Sequence, residues 1–250
     1  VILLFALFGP LASPYSYDEI HLSLKNLPPS RLFWFGTDDL GRDLFCRTAW
    51  GARISLSIGF FAAFVDLFLG VLIGTLGARY RLLMRLTDVL QGVPYLLSVI
   101  LFTVLLGSGF TTLLIALTAT GWISMARVTQ AQVLQVMSSD YVQAALVMGA
   151  SRPRLFFRHL IPNAISPIIA MATLTIPGAI FTEAFLSFLG LGIQAPSASW
   201  GTLISDGVGA MRYYPWRLFI PAGLMTLTML SIQSIGQSLR NTLDPRFYGA

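Results

Sequence analysis

Two carboxylates stand in or beside runs that otherwise lack charge. Asp66 interrupts the apolar run from Ile54 to Ala78, and Glu183 follows the run from Ala164 to Thr182. An ionisable side chain in such a place is costly unless paired, and it marks a functional position by default. Asp66 has three readings: a hydrogen bond to a Ser or Thr of a neighbouring helix, a place on a solute path, or proton carriage. Glu183 has two: it faces a solute path, or it braces the segment from Ala184 to Gly201. Nucleotide chemistry of the P-loop kind is excluded. That loop needs a glycine-rich turn ending in Lys and then Ser or Thr, because the lysine neutralises the terminal phosphates. The only lysine, Lys25, follows Leu24 in an unrelated segment. His21, His159 and Cys46 are too few and too dispersed for zinc. One cysteine makes no intrachain disulfide, and Cys46 reads as a buried small hydrophobe. Neither a nucleophilic triad nor a carboxylate pair is present, so no enzymatic activity of the chain's own is expected.

A third group lies in a long connection, 126–163, whose middle reads as two helices outside the bilayer. Ser138-Ser139-Asp140 is a helix start signal, and Asp140 with Gln143 three residues on fits a capping box. The helix runs from Tyr141 to Met148 and stops at Gly149, a left-handed cap. Ser151 caps a second helix, with Pro153 tolerated in its first turn. That helix carries Leu155, Phe156, Phe157, Leu160 and Ile161, interleaved with Arg152, Arg154 and Arg158. Small residues Ala144, Ala145 and Gly149 let another backbone approach closely. Two readings stand at this point: a low-profile docking element, or an amphipathic hairpin with its basic residues on lipid phosphates.

These groups must be positioned by membrane helices. Of 250 residues, 55% are hydrophobic and 11% charged, against about 25% charged in a soluble domain. Mean hydropathy is +0.74. A bilayer span needs about 20 apolar residues. Ile54–Ala78 supplies one. The charge-free stretch Val89–Ala126 is too long for one helix, and Gly107-Ser108-Gly109 splits it near 88–106 and 110–125. Ala164–Thr182 and Leu218–Leu239 supply two more. The apolar run Val1–Leu11 lacks a basic region before it and a cleavage site after it. It reads as the back part of a first span that begins upstream, which brings the count to six. Residues 184–205 also lack charge, but their glycines, Pro196 and serines read as a re-entrant or interfacial loop. The expected fold is all-α and polytopic. Residues 1–52 hold the truncated first helix and an extracytoplasmic loop, 53–241 the core, and 242–250 a cytoplasmic tail.

Six spans place both termini on one side. One set of loops carries Arg79, Arg81, Arg85, Arg127, Arg152, Arg154, Arg158, Arg240 and Arg246. The other carries Lys25, Arg31, Arg42, Arg47, Arg53, Arg212 and Arg217, interspersed with acids. The positive-inside rule, weighted by the dense cluster at 79–85, puts both termini in the cytoplasm. A net charge of +5 is modest, and no nucleic-acid partner is expected.

The run Asp140-Tyr141-Val142-Gln143-Ala144-Ala145, then Gly149, then His159-Leu160-Ile161-Pro162-Asn163, resembles the loop shared by permeases of binding-protein-dependent ABC importers. Gln143 departs from the pattern, which usually has Glu there. Phe35-Gly36-Thr37-Asp38-Asp39-Leu40-Gly41-Arg42-Asp43 with Gly51 to Leu56 is similar to the entry to the second helix in the peptide and nickel branch of that family. Glu183 to Gly192 with Pro196 to Gly201, and Leu239 to Arg246, match the same branch. Together these cover residues 35 to 246. The resemblance implies a type I ABC importer permease core. It also implies a coupling helix whose contacts to an ATPase subunit involve Asp140, Tyr141, Gln143, Ala144, Ala145, Gly149 and Arg152. The implied partners are a second related permease, two ABC ATPase subunits that bind ATP and Mg, an extracytoplasmic solute-binding protein, and lipid. This chain itself binds no cofactor in that reading. The implied substrate is a peptide, with the segment Ser199 to Gly207 closer to oligopeptide than to dipeptide or nickel permeases. Asp66 and Glu183 remain the candidates for the path. Two further readings stay open: a proton-coupled secondary transporter using those carboxylates, and a membrane scaffold or sensor that transports nothing.

Overall fold

The computed structural model describes residues 1–155, 158 and 160–243. Phe156, Phe157, His159 and the ending Asp244-Pro245-Arg246 lie outside the described residues, as do the side chains of Arg152, Pro153 and Pro162. Ten α-helices are described: α1 Ile2–Ala12, α2 Leu44–Arg79, α3 Arg81–Gln91, α4 Tyr95–Leu106, α5 Phe110–Met137, α6 Asp140–Val147, α7 Arg152–Leu155, α8 Ile161–Phe188, α9 Trp200–Ala210 and α10 Trp216–Leu243. Four of them (α2, α5, α8 and α10) are long and apolar enough to cross a membrane. A fifth crossing is possible if the bent pair α3 and α4 counts as one span.

The single helix expected over 88–106 is two helices, set at 77° to each other. Gly92 and Pro94 fall in the break, and Pro94 disfavours the helical region for Val93. The turn at Gly107-Ser108-Gly109 is present, with φ of +85° and +151° at its two glycines. Helix α5 runs to Met137, well beyond the expected end near 125, because its second half packs on other helices rather than on lipid alone. The segment after α8 holds a loop, 189–199, and the 11-residue α9, which is too short for a crossing.

The chain forms two compact units. One comprises Val1–Phe60, Ile100–Ala116 and Gly178–Ser231; the other comprises the described residues of Phe61–Val99, Leu117–Pro177 and 232–243.

In the first unit, α2 starts ten residues before the apolar run because Asp43 caps it. The Asp43 carboxylate accepts from the main-chain N–H of Phe45 (3.1 Å) and Cys46 (3.3 Å), and from the Ser13 hydroxyl (2.6 Å). Two residues of a first helical turn thus gain partners that the helix itself cannot give. Asp38 organises the loop before it, accepting from the Leu40 and Arg42 N–H groups and pairing with the Arg42 Nε at 2.6 Å. Gly36, at φ +78°, sits where any Cβ would meet the Leu27 carbonyl and the Trp216 indole. Arg217 reaches Asn26 and Asp39, both at 3.0 Å.

In the second unit, α2 and α5 are pressed together along a glycine seam. A Cβ on Gly70 would lie 2.5 Å from the Met125 Cβ. One on Gly74 would collide with the Ala126 carbonyl oxygen and lie 2.7 Å from the Thr129 Cβ. Without lipid-excluded hydrophobic drive inside a bilayer, helices associate through such close packing.

Candidate coupling site

Helix α6 is the exposed end of a packed hairpin. Helix α5 ends at Met137, and α6 begins at Asp140 after only two intervening residues. Ser139 occupies the N-cap position, but its hydroxyl donates to the Val136 carbonyl at 2.6 Å and caps nothing. The expected capping box at Asp140 and Gln143 is therefore absent. Asp140 is already inside the first turn, where a negative charge favours the helix dipole, and the Gln143 amide donates instead to the Met137 carbonyl at 2.7 Å. That bond ties the first turn of α6 to the last turn of α5.

The buried face of α6 is Val142 and Ala145. They pack with Val133 and Val136 of α5, Leu155 of α7, and Leu160. The far end closes at Gly149 with φ +79°. There the Ala150 N–H returns to the Ala145 carbonyl at 2.9 Å and the Gly149 N–H to Leu146 at 3.0 Å, the pattern of a left-handed helix stop. Asp140, Tyr141, Gln143, Ala144 and Gly149 are exposed, while Ala145 is buried. Val147 and Met148, at 89% and 81% exposure, extend the open surface. Sequence reasoning passed over these two. They are apolar, and only the folded helix places them outward.

The two intramembrane carboxylates are both buried, and they differ in partners. Asp66, in the second unit, lies against Gly121 of α5, where a Cβ would come 2.5 Å from its Oδ2. Its Oδ1 is buried without a hydrogen-bond partner, so the expected hydroxyl partner is not found at that oxygen. Glu183, in the first unit, is fully buried and engaged. Ser187 donates to its Oε1 at 2.7 Å and Ser55 to its Oε2 at 3.2 Å. The Ser55 oxygen in turn accepts the Trp200 N–H at 3.2 Å, and the Trp200 indole donates to the Thr48 carbonyl at 3.1 Å. Ser199 caps α9 through a reciprocal pair with Thr202. Helices α2, α8 and α9 are thereby joined through one carboxylate. Ser187, four residues on along α8, and Trp200 both lie in the 184–201 segment that Glu183 was read as bracing, whereas Ser55 carries no sequence signal, since its bond to Glu183 spans 128 positions.

Beside this network lies a polar cavity of about 250 Å³, lined among others by Arg42, Arg47, Thr202, Ser205 and Asp206. Partial burial pushes the Asp206 carboxyl above the usual carboxylate range, against the pull of Arg47.

Residues 66–248 match the family model described as binding-protein-dependent transport system inner membrane component. The chain is 51% identical to the oligopeptide transport system permease protein OppC of Bacillus subtilis, over 98% of this chain and 82% of that protein. It is 48% identical to the dipeptide transport system permease protein DppC of the same organism, over 96% and 77%. Identity to OppC of Escherichia coli K12 is 37%, over 98% and 84%. Among solved structures, an inward-facing form of the MetNI methionine ABC transporter superposes with a TM-score of 0.63 at 18% identity, covering 78% of this chain and 94% of that one. The fold is thus that of an ABC importer permease, and the chain belongs to the family of binding-protein-dependent transport system inner membrane components.

Proposed function

We propose that this chain is a membrane-spanning subunit of an ATP-driven importer of peptides, with oligopeptides favoured over dipeptides. ATP is hydrolysed on separate subunits, and a second permease and an extracytoplasmic binding protein complete the assembly. Nickel or another small solute is the alternative cargo. Both termini face the cytoplasm, as the arginine distribution over the loops favours.

The observation that carries this reading is the construction of α6. An exposed helix offering Tyr141, Ala144, Val147 and Met148 is joined to α5 by a two-residue turn and by the bond from Gln143 to Met137. A force applied to α6 is delivered to α5 with little slack. Asp140, Tyr141, Gln143, Ala144, Gly149 and Arg152 form the docking face, and Ala145 keys that face to the hairpin core. Asp66, with an uncommitted oxygen, is the stronger candidate for the solute path; Glu183 serves as a brace.

The test is uptake of a labelled oligopeptide into vesicles holding the assembled complex. Uptake that stops on ATP depletion and survives collapse of the proton gradient is expected. The reverse pattern sinks the reading and favours a secondary transporter, for which the orphaned Asp66 oxygen is the one supporting feature. Competition by dipeptides and by nickel ranks the substrates.

A further inference from the structure

Helix α3 is built for a surface that is both apolar and anionic. Leu82, Leu86, Val89 and Leu90 stand at i, i+4, i+7 and i+8, and all four are exposed. Met84 and Thr87 are the buried side. Arg81, Arg85 and Asp88, at i, i+4 and i+7, form a third stripe. With Met84 of α3 and with Arg127 and Gln130 of α5, they line an open polar cavity of about 380 Å³.

The charges in that cavity do not balance. Asp88 is taken by Arg127. Arg81 and Arg85 have no ion pair or side-chain hydrogen bond among the described residues. Two guanidinium groups one turn apart on a helix repel each other, so an anion between them gains twice. The helix begins here as well. Tyr80 at the N-cap gives no side-chain cap, which leaves the positive end of the helix dipole beside the arginines.

We propose that this cavity holds the phosphate of an anionic phospholipid. The headgroup lies between Arg81 and Arg85, with Arg127 behind, and the acyl chains run along the stripe from Leu82 to Leu90. Guanidinium is the group suited to bidentate phosphate contact. A free phosphate uses only the arginines and makes no use of four exposed apolar side chains in register beside them. A lipid uses both. The chain resides in a membrane, so that ligand is present at high local concentration.

The test uses the full chain, purified in mild detergent, stripped of lipid, and offered equal amounts of phosphatidylglycerol and phosphatidylcholine. Retained lipid is counted by native mass spectrometry. Phosphatidylglycerol is expected to be retained at least fivefold over phosphatidylcholine. Removing charge with Arg81→Gln and Arg85→Gln is expected to cut retention about fivefold per arginine, as for a basic residue near an anionic membrane surface. Arg212→Gln, in another loop, leaves it unchanged. Asp88→Asn frees Arg127 and raises retention, which keeps the idea testable if the double variant does not fold. Equal retention of the two lipids, or no loss in a folded double variant, overturns the proposal. So does inorganic phosphate binding as tightly as the lipid, which assigns the cavity to a soluble anion. Loss of the lipid when partner subunits are bound assigns it to a protein contact and overturns it too.

Discussion

The side-chain amide of Gln143 donates to the main-chain oxygen of Met137 at 2.7 Å, holding the start of α6 against the end of α5. A glutamate at that position, the residue usual in the resembling loops, is ionised at neutral pH and has no proton to give. Gln143 thus trades a charge on the exposed face of α6 for a stiffer hairpin.

Gln143→Glu should therefore lose that bond, at a cost near the low end of the ~0.5–1.5 kcal/mol of a solvent-accessible hydrogen bond. A small fall in melting temperature in detergent is expected. The freed carboxylate becomes available to a basic partner, so copurification of the ATPase should hold or increase. A drop in both stability and association contradicts the role given to this side chain.

Gly149 has space for a Cβ, since no atom lies within 4 Å of where one would stand. The penalty of substitution is thus conformational alone, at φ +79°. Gly149→Asn should cost little, because Asn tolerates the left-handed region. Gly149→Val should cost ~1–2 kcal/mol or more and distort the end of α6. Membrane insertion with lost ATPase copurification is expected for Val and not for Asn. The graded series separates the backbone requirement from simple loss of a glycine.

Gly74 and Gly223 make a matched pair for the packing seam. Gly74→Ala forces a methyl onto the Ala126 carbonyl and should destabilise by ~1–3 kcal/mol. Gly223, inside α10 with nothing within 4 Å, should tolerate Ala and gain ~0.4–1 kcal/mol. Thermal melts of both variants in one detergent check the opposite signs.

Glu183→Leu removes the shared acceptor of Ser55 and Ser187, stranding buried hydroxyls at a cost of ~1–3 kcal/mol. Glu183→Gln keeps an acceptor oxygen and should cost less. Limited proteolysis at the 189–199 loop should accelerate in the Leu variant first. Equal behaviour of the two removes the bracing role.

Asp206 supplies a pH signature. Its carboxyl is raised in the folded chain, with burial outweighing Arg47, Arg42 and Arg217, while Asp39 acts in the same direction as burial. The folded state therefore holds the proton more tightly than the unfolded one. The stability this gives is complete below the ordinary aspartate value of about 4. It is lost as pH rises through the raised value. Asp206→Asn should gain on the parent as pH is brought from about 4 to 7. Parallel melting curves across that range contradict it.

The long helices α2, α5, α8 and α10 were legible because length and absence of charge are local properties, as were the turn at Gly107–Gly109 and the stop at Gly149. Of the six spans expected, however, the described residues show four, or five with the bent pair α3 and α4. Helix α3 was not legible. Arg81 and Arg85 read as loop charges, and the apolar positions around them are visible only with the helical period applied from Arg81. The early start of α2 was hidden because Arg47, Thr48 and Arg53 look unlike a membrane helix. They are tolerated because the arginines meet carbonyls, Arg47 at Tyr17 and Arg53 at Ala6 and Leu7. Of the partners of Glu183, Ser187 is a local i+4 neighbour, but Ser55 is brought in by folding, and no window of sequence contains it.

The distance along the chain between Ser55 and Glu183 also sets a clock. A ribosome working at ~5–20 residues per second needs roughly 6 to 26 seconds to add those 128 positions. For that interval α2 has been synthesised while its hydroxyl waits for a carboxylate that does not yet exist, and the Trp200 N–H arrives later still. The latch among α2, α8 and α9 can close only when about four-fifths of the described chain has been made. Its closure precedes the completion of the first compact unit, which still awaits the residues up to Ser231.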